Sequence, residues 1–152
     1  MLRTLKCPVI ALEEHYWDKE LAALFVGAEG VRDPEMLRRL YDLGELRLNE
    51  MDEAGIDVQI LSHGAPSAQK LSGGEAVDVT RRVNDRLHAV VAANPTRFAA
   101  FAALPTSDPK AAADELERTT KLGFKGAMIH GLANGVFLPS QHPIHRRNIS
   151  RL

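Results

Sequence analysis

One cysteine in 152 residues, Cys7, leaves no partner for an internal disulfide. A reducing, cytoplasmic setting is therefore the expectation. Neither sign of charge dominates: 19 Lys+Arg stand against 20 Asp+Glu, a net charge of -1. That balance argues against a dedicated nucleic-acid binder, which carries a basic excess on one face. No apolar run approaches the roughly 20 residues a membrane helix needs, and the N-terminus shows no signal-peptide core. Gly-x-x-x-x-Gly-Lys-Ser/Thr and Gly-x-Gly-x-x-Gly are both missing, so no phosphate-cradling loop is expected. With only 11 Gly and 8 Pro, the chain is neither collagen-like nor a disordered low-complexity segment. What remains is a chain, 45% hydrophobic, with enough apolar content for a real core.

The apolar pattern alternates between short runs and amphipathic stretches. Pro8 to Leu12 predicts a first strand buried on both faces, with Cys7 just before it as inert core. Helices are predicted from Lys19 to Val26, Glu35 to Leu43 and Glu45 to Ala54; Asp33-Pro34 starts the second and Gly55 ends the third. The positions around Met36, Leu37 and Leu40 are expected to be core. Ile56 to Leu61 is a second strand, running into the loop Ser62-His63-Gly64-Ala65-Pro66. A long helix from Glu75 to Ala93 follows, with Val79, Val83, Leu87, Val90 and Val91 on one stripe. Phe98 to Leu104 is a third strand, Ser107-Asp108-Pro109 starts a helix through Lys121, and Phe124 to Ile129 is a fourth strand ending at His130. Strands joined through helices imply a parallel sheet with right-handed crossovers. After Leu138 the character changes: residues 139–152 hold three Arg and two His, His142 and His145, without helical or strand period. The expectation is an atypical tail, frameshifted or disordered, with both histidines solvated.

Parallel α/β folds place their sites at the C-terminal ends of strands. Glu13-Glu14-His15 follows the first strand, Ser62-His63 the second and His130 the fourth. On an extended chain Glu13 and His15 point to one side and Glu14 to the other. A carboxylate and an imidazole on one face suit Zn²⁺ or Mn²⁺, although a cap or hydrogen-bonded role fits the same pair. His63 reads equally as a loop histidine bonded to backbone near Gly64 or as a substrate-facing group. His130 is either a satisfied rim histidine or a substrate contact. Ser62 lacks a base-plus-acid pairing, which argues against a Ser-His-Asp nucleophile and leaves substrate binding.

Four stretches in register carry a resemblance over about residues 8 to 138. They are Ala11-Leu12-Glu13-Glu14-His15, Met51-Asp52-Glu53-Ala54-Gly55-Ile56-Asp57, Asn94-Pro95-Thr96-Arg97-Phe98 and Leu122-Gly123-Phe124-Lys125-Gly126-Ala127. Together they resemble the amidohydrolase-related metal-dependent enzymes, in the branch of the dihydroxybenzoate and γ-resorcylate decarboxylases. The resemblance implies an α/β fold that is the N-terminal half of a (β/α)8 TIM barrel, about four parallel strands with covering helices. It implies one divalent metal, Zn or Mn, at the C-terminal mouth, with Glu13 and His15 matching the first-strand ligands. The family's further ligands, a His after strand five and an Asp after strand eight, have no counterpart in this chain, nor does the later His assigned to proton transfer. His130 stands where the decarboxylases commonly have Asn, which points toward a sister group of hydrolases or lyases.

The chemistry implied is that of a carboxy-lyase on a small carboxylic acid, such as an aromatic one. The metal binds the carboxylate and an adjacent hydroxyl, a ring carbon is protonated and CO₂ leaves. A hydrolase would use the same metal to lower the pKa of a bound water toward about 7. A different class of reading is a catalytically inactive half-barrel that only binds or assembles. A phosphate-binding doubly wound domain is disfavoured, since Glu13 and Glu14 would repel the anion. A (β/α)8 barrel takes roughly 250 residues, so residues 1–138 amount to a partial domain. Such a sheet has unpaired edges, which makes a homo-oligomer the expected state. Size-exclusion chromatography should therefore show self-association; a stable, well-folded monomer would count against the half-barrel.

Overall fold

In the computed structural model of the chain, residues 7–133 and 136–137 are described. The elements run β1 (Ile10–Tyr16), α1 (Lys19–Ala22), α2 (Pro34–Tyr41), α3 (Glu45–Ala54), β2 (Val58–His63), α4 (Gly73–Ala93), β3 (Phe98–Ala100) and α5 (Pro109–Lys121). A short antiparallel pair, β4 (Leu132–Ala133) and β5 (Val136–Phe137), follows and had no signal in the periodicity. The change of character after residue 138, with His142 and His145, lies outside the described residues.

Three parallel strands lie in the order β1-β2-β3, each reached from the last through helices. The stretch predicted as a fourth strand runs beside β3 without forming a full ladder. Lys125 N–H donates to Ala100 O, Ala102 N–H to Gly126 O and Met128 N–H to Ala102 O, with Ala102 and Ala127 as one parallel bridge. The fourth position of the sheet is thus occupied by backbone that pairs over a few residues only.

Helix boundaries follow local chemistry. Asp18, Asp33 and Asp108 each sit at an N-cap and accept from backbone N–H groups of the first turn. Gly55 ends α3 at φ 70, in the left-handed region where a side chain would be strained. The helix predicted from Lys19 to Val26 stops at Ala22. Leu24 and Phe25 instead bond back three residues, to Leu21 O and Ala22 O, and tighten the chain out of the α-helix.

The core lies between the sheet and its helices. Val79, Val83 and Leu87 of the predicted stripe are fully buried, with Val90 and Val91 packed partly against them. Asn84, on the same helix, acts as a peptide mimic: its amide accepts from Ala103 N–H and donates to Ala103 O and Glu115 Oε1. That satisfies the backbone just past β3 where no strand partner is present.

Three expectations about burial need correction. Ile10 and Leu12 are 53% and 60% exposed, so the first strand is not buried on both faces. β1 is the edge of the sheet, paired with β2 alone among the described strands. Cys7 is exposed because pairing with β2 begins only at Ile10, opposite Val58. Met36 is 50% exposed and α2 buries no residue fully, since Leu37, Leu40 and Tyr41 alone lean on the core.

Leu87 packs in the main cluster with Leu61 and Phe98. Leu87→Ala should lower the unfolding free energy by about 2–5 kcal/mol in urea titration, the range for a buried leucine whose site cannot collapse. A change below about 1 kcal/mol would contradict the packing described.

Candidate functional site

Parallel pairing of β1 with β2 sets the geometry. The register runs Ile10 with Val58 and Ala11 with Gln59, then resumes at Glu14 with Leu61, His15 with Ser62 and Tyr16 with His63. Leu12 and Glu13 therefore share the place opposite Ile60, a β-bulge, and Glu13 adopts φ 59. Glu13 and Glu14, expected just past the first strand, lie within it together with His15.

Across the bulge, Glu13 and His15 are exposed while Glu14 turns the other way. Glu14 Oε2 accepts from Gln59 Nε2 at 3.1 Å, and Gln59 Oε1 in turn accepts from Arg47 Nη1 at 3.2 Å. Arg47 is buried, yet its guanidinium also donates to His15 O (2.9 Å), Arg39 O (3.1 Å) and Asp42 O (2.9 Å). Burial depresses its pKa, while the Glu14 carboxylate opposes that fall. A buried cation spread over three carbonyls thus holds the backbone from which His15 projects.

His15 Nδ1 lies 3.0 Å from Ser62 Oγ, and Ser62 is fully buried. The other ring nitrogen, Nε2, has no partner among the described residues. The His130 ring stands 6.1 Å from that of His15, edge to face. Its Nε2 is 3.2 Å from His63 O, and its backbone is gripped by the Gln69 side chain. Burial lowers the His130 pKa, and neighbouring His15 adds to that.

His63 is placed differently from what a substrate-facing role requires. It follows Ser62 on β2 and so faces the helices, packed edge-on against Tyr16 and Phe25. It is 1% exposed. Its Nδ1 sits 2.8 Å from Gly64 O and its Nε2 accepts from Asp18 N–H at 3.0 Å. A carbonyl can only accept and an amide can only donate, so this ring is neutral with the proton on Nδ1. The backbone-bonded alternative is the one its geometry matches. Gly64 itself is hemmed in: a Cβ there would lie 3.0 Å from Trp17 Nε1 and 3.5 Å from His15 Cβ. The absence of a side chain lets the loop pass close behind His15.

Glu13, His15, Ser62 and His130 are thus brought to one end of the sheet, with His63 beneath them. Among the described residues no group of three or more His, Cys, Asp or Glu converges as a metal cage. A cavity of about 380 Å³, lined by Tyr16, Asp18, Tyr41 and Arg86, lies on the helix side of β1, away from these groups. Among the described residues no helix is long and apolar enough to cross a membrane. Arg47 and Gln69 carried no sequence signal, since each acts on a partner at least 32 residues away.

Residues 11–152 match the family model described as Amidohydrolase, and the chain belongs to that family. It is 46% identical over 127 residues to the γ-resorcylate decarboxylase of Polaromonas sp. strain JS666, covering 82% of this chain and 39% of that protein. The fold superposes on a dihydroxybenzoic acid decarboxylase from Polaromonas sp. JS666, solved with manganese and the inhibitor 2-nitroresorcinol. The TM-score is 0.71 at 43% identity, over 82% of this chain and 38% of that one. A 2,6-dihydroxybenzoate decarboxylase from Rhizobium gives a TM-score of 0.81 at 36% identity, over 94% of this chain and 46% of that one. The chain therefore spans about two fifths of the length of the curated relatives it matches. Its architecture is α/β, the N-terminal half of a (β/α)8 barrel.

The neutral state of His63 has a measurable consequence. Burial pushes its pKa from 6.5 down to about 4. The unfolded chain takes up a proton near 6.5 that the folded chain accepts only near 4, so this stabilisation is complete above pH 6.5 and is lost as pH falls toward 4. Between about pH 7.5 and about pH 5 the loss should be about 2 kcal/mol. Urea unfolding at the two pH values should show it, and His63→Gln should flatten the dependence. An equal slope in the variant would mean that His63 is not the group responsible.

Proposed function

We propose that this chain supplies the first-strand part of the active site of a metal-dependent carboxy-lyase acting on a small aromatic acid. The observation that carries the reading is the pair Glu13 and His15: both project from one face of β1 at the end where barrel enzymes place their chemistry. Relatives named as decarboxylases of dihydroxylated benzoic acids support the reaction class, and the manganese in one of them supports a divalent ion.

The donor set fits such an ion. One carboxylate and one neutral imidazole suit Mn²⁺ or Zn²⁺, with neither preferred by these two donors alone. Ser62 Oγ lies 3.0 Å from His15 Nδ1; with the metal on Nε2, the Nδ1 proton would go to this hydroxyl. Arg47, through His15 O, fixes the strand that carries both donors. Two donors are fewer than the three of a catalytic zinc site, and the resemblance assigns the others to later strands.

When bound, the ion supplies a Lewis acid that fixes the substrate carboxylate and an adjacent hydroxyl. Glu13 and His15 orient that centre. Ser62 keeps the His15 ring in one tautomer, and His130 borders the same space. His63 contributes support from below, as a neutral ring whose one N–H is committed to Gly64 O. In this reading the protein works in the cytoplasm as a homo-oligomer.

Titration with Mn²⁺, followed by the paramagnetic resonance signal of the free ion, tests the assignment. Glu13→Gln and His15→Ala should each weaken binding by tenfold or more, and Ser62→Ala by about tenfold. Evolution of CO₂ from 2,6-dihydroxybenzoate in the presence of Mn²⁺ reports the reaction itself. If both ligand variants bind Mn²⁺ as the parent chain does, the metal assignment is wrong.

A further inference from the structure

The His130 ring is held more firmly than a rim histidine needs to be. Its backbone N–H donates to Gln69 Oε1 at 2.5 Å, and its backbone O accepts from Gln69 Nε2 at 2.9 Å. Gln69 is 1% exposed and His130 half-buried, so the gripping side chain is itself held inside the fold. The ring is fixed separately, by Nε2 at 3.2 Å from His63 O. Because a carbonyl oxygen cannot donate, Nε2 carries the hydrogen in that contact. Neutral His130 then presents a lone pair at Nδ1, which has no partner among the described residues. The ring edge lies beside His15, 6.1 Å between centroids.

We propose that His130 Nδ1 is a fixed hydrogen-bond acceptor for a hydroxyl group of the substrate acid, which makes His130 a specificity-determining residue. The proposal rests on the reading of Glu13 and His15 as metal ligands and deepens it by selecting the substrate class. A lone pair in that position repels a carboxylate oxygen and attracts an O–H donor. An acid with hydroxyls on both sides of its carboxylate satisfies both ends: its carboxylate and one hydroxyl go toward the metal and its second hydroxyl toward Nδ1. An acid without the hydroxyl leaves Nδ1 unpaired once water is excluded, the situation that gives polar sites their discrimination. Gln69 is a positioning residue in this scheme, acting only through the His130 backbone.

The test compares 2,6-dihydroxybenzoate with benzoate on the Mn²⁺-loaded full chain. Dihydroxybenzoate should bind more tightly, and His130→Leu should weaken it about tenfold while leaving benzoate and Mn²⁺ affinities unchanged. Equal weakening of both acids, failure of dihydroxybenzoate to bind, or a loss of Mn²⁺ affinity in His130→Leu would each overturn the proposal, the last by making His130 a ligand. A second measurement needs no variant. Nitrogen-15 imidazole spectra of the parent chain at neutral pH should show His130 as the Nε2–H tautomer, with Nδ1 responding to dihydroxybenzoate and not to benzoate. An Nδ1–H tautomer would overturn it. Failure of the metal reading is separately visible, as Mn²⁺ binding indifferent to Glu13→Gln while the His130 tautomer and its response to dihydroxybenzoate persist.

Discussion

Parallel pairing between β1 and β2 governs both the fold and the candidate site. The register that sets His15 opposite Ser62 also sets Tyr16 opposite His63, so one ladder sorts four side chains between two faces. His15 and Ser62 meet on the open face, while Tyr16 and His63 pack beneath the helices. A slip of one residue would exchange the two sets and bury the candidate ligand. The bulge at Leu12 and Glu13 belongs to the same constraint. It absorbs one extra residue, so that Glu13 joins His15 on the exposed face while the ladder beyond it stays in register.

A strand that carries such polar side chains at a sheet edge needs support from outside its own ladder. Arg47 provides it through carbonyls on β1 and around α2, and the Glu14–Gln59–Arg47 chain of hydrogen bonds keeps that buried cation from standing alone. Asp18 does comparable work at the other end of β1. Its carboxylate caps α1 and pairs with Arg86 of α4 at 2.7 Å, while its N–H reaches His63. The candidate site therefore rests on helices from both sides of β2.

Much of the architecture was legible before any coordinates. The order of strands and helices, the caps at Asp33 and Asp108, the stop at Gly55 and the stripe Val79, Val83 and Leu87 all follow from neighbours within a turn or two. The same-face placement of Glu13 and His15 came out as expected, although through a bulge and not through simple alternation. The exposure of Ile10, Leu12, Cys7 and Met36 was misjudged because apolar character does not state whether another element arrives to cover it. The fourth strand was overestimated for a related reason: an apolar run reports burial but not how many residues of it find a ladder partner.

The sequence by itself determined the family and the half-barrel order of elements, because motifs and periodicity are properties of neighbouring residues. Tertiary structure alone decided what the histidines are. His63 became a buried neutral support through Asp18, 45 positions away, and the His130 backbone is clamped by Gln69, 61 positions away. A histidine's tautomer is set by what its two nitrogens touch, and those partners are chosen by packing across the fold.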